Sequence, residues 1–234
     1  MEGSIVSFDV QNLAVFELFG IEVWLTETIR NTWIVMGILL LFAVAVRITL
    51  GTYKAKPTGF QNFVELIVEA FDRFVTSTAG KRLSYLGPWF FAVFTFILIA
   101  NISGLMLLRP PTADWTVTFS LALVTFILIQ VMAFYYQPRE KIKDLLTPWP
   151  FFLPINLLGE LARPISLSFR LFGNVLGGMI LITLVYSIAP IPARFGFPIV
   201  LHFAFDLIFG VLQAYIFTVL SLAFIGLAAG TSQD

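Results

Sequence analysis

Two apolar stretches in the C-terminal part of the chain carry polar side chains where an apolar solvent makes them costly. The first holds Glu160, Arg163, Ser166, Ser168, Arg170 and Asn174; the second holds His202, Asp206 and Gln213. A charge near the centre of a bilayer costs from about 3 to more than 10 kcal/mol, so such residues are rarely kept for packing alone. Residues 163, 166, 170, 174 and 177 step by three, four, four and three, which puts Arg163, Ser166, Arg170, Asn174 and Gly177 on one helical face. Asp206, Gly210 and Gln213 share a face in the same way, and His202 and Asp206, four apart, can meet. Two antiparallel helices with facing polar stripes describe either a hydrated ion path or a buried polar network. The bland readings run alongside: Asn174 and Gln213 as hydrogen-bonding glue between helices, Glu160 and Arg163 as an i, i+3 pair.

Other chemistries find no support. There is no cysteine and a single histidine, and His202 with Asp206 supplies two ligands, too few for a metal site. No His-Glu-x-x-His or Gly-x-Ser-x-Gly motif occurs. Ala79-Gly80-Lys81 is not a phosphate loop, because Val75 stands where a Walker motif needs glycine. Asn101-Ile-Ser103 fits a glycosylation pattern but lies in a spanning segment.

The elements that must position these residues follow from composition. Of 234 residues, 59% are hydrophobic and 12% charged, against about 25% charged in a soluble domain. Net charge is zero, so no basic face points to nucleic acid. Crossing a hydrocarbon core takes about 20 mostly apolar helical residues. Thr32 to about Leu50, Leu86 to Leu108 and Trp115 to Tyr136 each predict one spanning helix. Residues 148–189 and Phe195 to Ala229 flank a break at Pro190, Pro192 and Arg194. The latter stretch would be about 52 Å long as one helix, too long to stand upright, so tilt, a kink at Pro164 or Pro198, or an interfacial piece is expected.

The predicted fold is an all-α integral membrane protein of about five transmembrane helices, the last two forming a long, strongly tilted hairpin. Its divisions are an extracytoplasmic segment 1–31, three spans with their loops over 32–147, and the hairpin 148–234 carrying the polar stripes. Residues 1–31 hold five acids against Arg30 alone, unlike a basic signal-peptide start. The loop 47–82 carries Arg47, Lys54, Lys56, Arg73, Lys81 and Arg82, and the loop 137–147 carries Arg139, Lys141 and Lys143, whereas the opposite side has Arg30, Arg109 and Arg194. The positive-inside rule places the richer side in the cytoplasm, the N-terminus outside and the C-terminus inside. Glu160 and Arg163 then lie toward the cytoplasm, Arg170 deeper, and Asp206 toward the outside, with Gln213 about 10 Å further in. The polar groups outline two half-paths meeting near Arg170 and Gln213.

Ser166-Leu-Ser-Phe-Arg170-Leu-Phe-Gly-Asn174 resembles the signature of subunit a of F-type ATP synthases, and Gln213-Ala-Tyr-Ile-Phe-Thr-Val-Leu220 resembles the signature on that family's last helix. Pro57-Thr-Gly-Phe-Gln61-Asn62 with Glu65, and Pro111-Thr-Ala-Asp114, are similar to its patterns after the first helix and before the third. The resemblance covers nearly all of the chain after residue 30.

It implies a non-catalytic membrane stator in a bacterial cell membrane, partnered by a ring of c subunits, the b-subunit peripheral stalk and the remaining synthase subunits. Arg170 would face the ion-binding carboxylates of the ring. Arginine suits that role because it stays cationic where a desolvated lysine can lose its proton. It would draw a carboxylate in, favour release of its ion, and bar direct leakage between half-paths. A unit charge crossing 100 mV releases about 2.3 kcal/mol, which would turn the ring. Gly173, Gly177 and Gly178 would allow close packing or leave a smooth face toward the rotor. Two positions depart from a common family pattern: Met179 stands where many members have glutamate, and Asp206 where many have histidine. Asp206 is expected to serve the outer half-path in place of the missing acid. The expected coupling ion is the proton, with Na⁺ the alternative, and no cofactor is expected. A stand-alone secondary transporter is the competing function, though the chain lacks the internal repeat usual for one.

Overall fold

The computed structural model describes residues 12–18, 21–49, 59–106, 108–188 and 193–231. Lys54, Lys56, Pro57, Thr58, Pro190 and Pro192 lie outside the described residues. The described chain opens with two antiparallel strands, β1 (Asn12–Leu18) and β2 (Ile21–Thr26), in register Val15 with Trp24 and Glu17 with Glu22. This hairpin runs directly into α1 (Glu27–Thr49).

The stretch read from the sequence as a loop between the first two spans holds a helix, α2 (Phe60–Ala79). Its apolar residues recur at three- and four-residue intervals through Phe60, Phe63, Val64, Ile67, Phe71, Phe74 and Val75, the period of an amphipathic helix. Six other α-helices follow among the described residues: α3 (Gly87–Ile102) after a 3₁₀ turn, α4 (Trp115–Tyr136), α5 (Pro138–Leu146), α6 (Leu153–Ile188), α7 (Ala193–His202) and, after a π-helical segment Phe203–Phe209, α8 (Gly210–Ala229).

Among the described residues, five helical stretches are long and apolar enough to cross a membrane: Glu27–Thr49, Lys81–Met106, Trp115–Tyr136, Pro150–Ile188 and Ile199–Ala229. The expected all-α membrane fold with five spans is therefore present. The last stretch is not one uniform helix, since the π segment interrupts it. A π-helix bonds five residues back instead of four and is rare outside functional sites.

Local chemistry sets the ends. Asp114 caps α4 by accepting the amide of Thr116 at 2.9 Å. Gln137 and Pro138 end it, proline being unable to continue the bonding ladder. Gly230 closes α8 at φ 71°, a left-handed cap glycine adopts without strain. Pro164 sits buried inside α6, and the helix continues through it.

α3, α4 and α8 form the centre. Val93, Ile97, Ala122, Leu167, Leu171, Ala214 and Phe217 make one buried cluster, and Val75, Leu83, Phe90, Ile129, Leu222 and Ile225 lie in another. α6 packs chiefly on α4, and α8 on α3 and α4, rather than on each other. At the tip of α2, an added Cβ on Gly226 would lie 3.2 Å from the Ala79 Cα, and the Thr231 hydroxyl donates to the Ala79 carbonyl at 2.5 Å. Trp33, Leu40, Leu41, Ile48, Ile180 and Leu184 point outward, as lipid-facing residues do.

Candidate functional site

The long α6 positions Arg170 at its middle and turns the polar stripe away from the bundle. Arg163, Ser166, Arg170 and Gly177 are all exposed, and Asn174 is half-buried. An added Cβ on Gly173 or Gly177 would meet nothing within 4 Å. Among the described residues no acid pairs with Arg170. The neighbouring Ser168 points inward instead, its hydroxyl 3.2 Å from that of Thr118 on α4.

The stripe on α8 is the opposite case, because Gly210 and Gln213 are buried. The Gln213 Nε2 is enclosed with no hydrogen-bond partner among the described residues. The two stripes therefore do not close on each other along their length, as facing stripes would. Their meeting point is Asn174, whose amide nitrogen lies 3.5 Å from the carbonyl of Phe209, the last π-helical residue. Asn101 fixes the same junction from α3. It donates to the Gly210 carbonyl at 3.1 Å and accepts from the Thr112 hydroxyl at 2.7 Å. That buried role replaces the glycosylation reading of its motif.

Two clefts lie beyond Arg170 in opposite directions along α6. The first, about 600 Å³, is lined by Lys141, Asp144, Asn156, Glu160 and Arg163. Glu160 accepts from the Gln130 amide at 2.9 Å and pairs with the Lys141 ammonium. It does not pair with Arg163, whose guanidinium lies 5.4 Å from the centre of the Phe224 ring. The i, i+3 pairing gives way because a lysine on α5 reaches Glu160 and leaves Arg163 to the aromatic face.

The second cleft, about 300 Å³, gathers Glu27, Arg109, Met179, His202 and Asp206. The His202 Nδ1 and an Asp206 carboxylate oxygen are 2.6 Å apart, so the predicted contact forms. Gly104 makes room for it: an added Cβ there would lie 2.7 Å from the Asp206 carboxylate carbon. Met179 and Asp206, the two departures from the family pattern, thus line one cleft.

Gln130, Lys141, Glu27, Arg109, Gly104 and Asn101 are site residues that spacing did not single out. Lys141 and Arg109 were visible only as loop charges, and Gly104 gives no local signal. Among the described residues no group of three or more His, Asp or Glu side chains gathers to hold a metal.

The fold and its polar residues define a multi-pass membrane protein with a mid-span cation on an uncovered face and a polar cleft toward each end. The family described as ATP synthase A chain matches residues 29–226. The chain is similar to ATP synthase subunit a of Moorella thermoacetica, at 33% identity covering 92% of this chain and 95% of that one. It is similar to ATP synthase subunit a of Desulfosudis oleivorans, at 30% identity covering 90% and 92%. The chloroplastic ATP synthase subunit a of Stigeoclonium helveticum is 32% identical over 94% and 92%. The chain belongs to the ATP synthase A chain family.

Proposed function

We propose that this chain is the stator subunit a of the Fo sector of a rotary ATP synthase in a bacterial cell membrane. It supplies two ion half-channels and the arginine that separates them. It carries out no catalysis of its own and needs no bound cofactor. Its partners are the c-subunit ring, the b-subunit stalk and the rest of the synthase.

The observation that carries this reading is Arg170: a cation at mid-span, on an uncovered face, with no acid paired to it among the described residues. Left facing lipid, it would cost several kcal/mol. A neighbouring chain that brings a carboxylate to that depth removes the cost, and Gly173 and Gly177 leave the surface beside it smooth enough for a moving partner. The clefts on either side supply water access. Glu160 and Met179 lie about 15 Å and about 14 Å along the helix from Arg170, in opposite directions.

The cleft with Lys141 and Glu160 is the cytoplasmic half-path, since it adjoins the loops rich in lysine and arginine. The cleft with His202 and Asp206 opens outside, the N-terminus is outside and the C-terminus inside. The last two spans tilt, because their lengths exceed a hydrocarbon core of about 30 Å. An ion entering one cleft boards a ring carboxylate, rides almost a full turn, and is released into the other as Arg170 attracts the freed carboxylate.

Carboxylate and imidazole together in the outer cleft suit proton hopping, so the coupling ion is the proton. ATP-driven transport that needs Na⁺ and survives a protonophore would overturn that choice. For the whole reading, the test is Arg170→Ala in vesicles. ATP-driven pumping should vanish while the detached catalytic head still hydrolyses ATP, and pumping at the wild-type rate would refute the assignment.

A further inference from the structure

The outer cleft receives no acid from α6, because Met179 occupies the position facing it. Two carboxylates nevertheless line it: Asp206, paired with His202, and Glu27 at the start of α1. On the reading of the cleft as the external half-path, we propose that Glu27 is the ion-accepting residue at its mouth, taking a proton from the external solvent and passing it to the Asp206–His202 pair.

The placement of Glu27 is built, not incidental. Thr26 caps α1 by accepting the Ile29 amide at 3.3 Å, which fixes Glu27 as the first helical residue. The buried residues of α1 are Thr28, Asn31 and Val35, on one face and within about two turns of Glu27. Asn31 is 1% exposed and donates to the Arg109 carbonyl at 2.8 Å. Beyond Val35 no described residue of α1 is buried. The helix is therefore moored to the bundle only at the end that delivers Glu27 to the cleft. A span needed merely to thread the chain through lipid has no reason to be fixed there.

The charges around Glu27 suit a residue that changes protonation state. On its own helix Arg30 lies 3.4 Å away, and the cleft adds Arg109, His202 and Asp206. Arg30 pairs with Glu27, and Arg109 lines the cleft that holds both carboxylates. Glu27 is partly open, its side chain 23% exposed, while that of Asp206 is 12% exposed. His202 is 24% exposed, so the step inward runs from Glu27 and His202 to the Asp206 carboxylate.

A purely structural role remains distinguishable, since an acid in the first turn also favours the helix dipole. The test uses the whole synthase in vesicles with the catalytic head outward, so that the lumen is the external side. ATP synthesis per assembled complex is measured against lumen pH for wild type, Glu27→Gln, Glu27→Cys and Arg170→Ala. Glu27→Gln should assemble normally and synthesise about tenfold more slowly, with the deficit growing as lumen protons become scarce. Glu27→Cys should show the same loss. Iodoacetate, whose carbon the thiolate attacks with expulsion of iodide, rebuilds a carboxylate there and should restore the rate, whereas neutral iodoacetamide should not.

Wild-type synthesis by Glu27→Gln overturns the proposal. So does a loss that tracks only the amount of assembled complex, with no change in lumen-pH dependence, or equal rescue by both reagents. If Arg170→Ala is silent while Glu27→Gln is normal, only the Glu27 assignment falls. If Arg170→Ala synthesises normally, the half-channel reading itself falls.

Discussion

α6 and α8 each carry polar residues at helical spacing through an apolar span, yet the protein treats them in opposite ways. On α8, Gly210 and Gln213 are enclosed by α3 and α4, and Asn101 clamps the helix at Gly210. On α6, Ser166, Arg170 and Gly177 are left uncovered. Polar atoms inside a bundle stabilise or tune that bundle, and losing them alters the fold. Polar atoms on an outer face within lipid stabilise nothing in the isolated chain and are explained only by what covers them. The same spacing in sequence therefore encodes an internal network on one helix and an uncovered face on the other.

The largest effect that would sharpen the contrast is Arg170→Ala. Pumping should fall by at least about a hundred-fold, while the thermal stability of the purified chain changes by less than about 0.5 kcal/mol. A large loss of stability would mean that Arg170 serves the fold and would break the comparison. Next comes a matched pair of glycines. Gly226→Val drives a side chain into the Ala79 backbone and should destabilise by about 1–3 kcal/mol, seen as a lower Tm. Gly177→Val meets nothing in this chain; its Tm should hold while pumping by the assembled synthase drops by roughly tenfold or more, from overpacking against the rotor. The smallest effect is Gln213→Leu. It removes an enclosed nitrogen with no partner among the described residues and should raise stability by about 1 kcal/mol, while slowing ATP-driven proton uptake. A loss of stability there would show that Gln213 works for packing and erase the difference between the helices.

Much of the architecture was legible because lipid imposes a coarse rule: long uncharged runs become spans. The third span runs from Trp115 to Tyr136, the limits read from composition. The i, i+4 meeting of His202 and Asp206 was legible because it is local. What lay hidden depends on chain segments far apart in sequence. Glu160 finds Lys141 and Gln130 rather than Arg163, and spacing along one helix cannot weigh a lysine on another. Gly104 matters only because Asp206 is placed against it. α2 was missed although its apolar period was present, because the basic residues around it read as a loop. The hairpin before α1 was missed as well, because Leu13, Ala14, Val15 and Phe16 run apolar without the alternation that marks a half-buried strand.

The π-helical segment makes the outer cleft depend on how many residues the chain has, as well as which ones. Seven residues, Phe203–Phe209, separate the clamped Gly210 from His202, and the wider winding sets the direction in which His202 and Asp206 project. Removing a single residue between Asp206 and Gly210 would turn both side chains by about 100° relative to Gln213. Insertions and deletions here are thus a means of re-aiming the groups that line this cleft without altering any polar side chain, a route of variation closed to the strictly α-helical Arg170 segment.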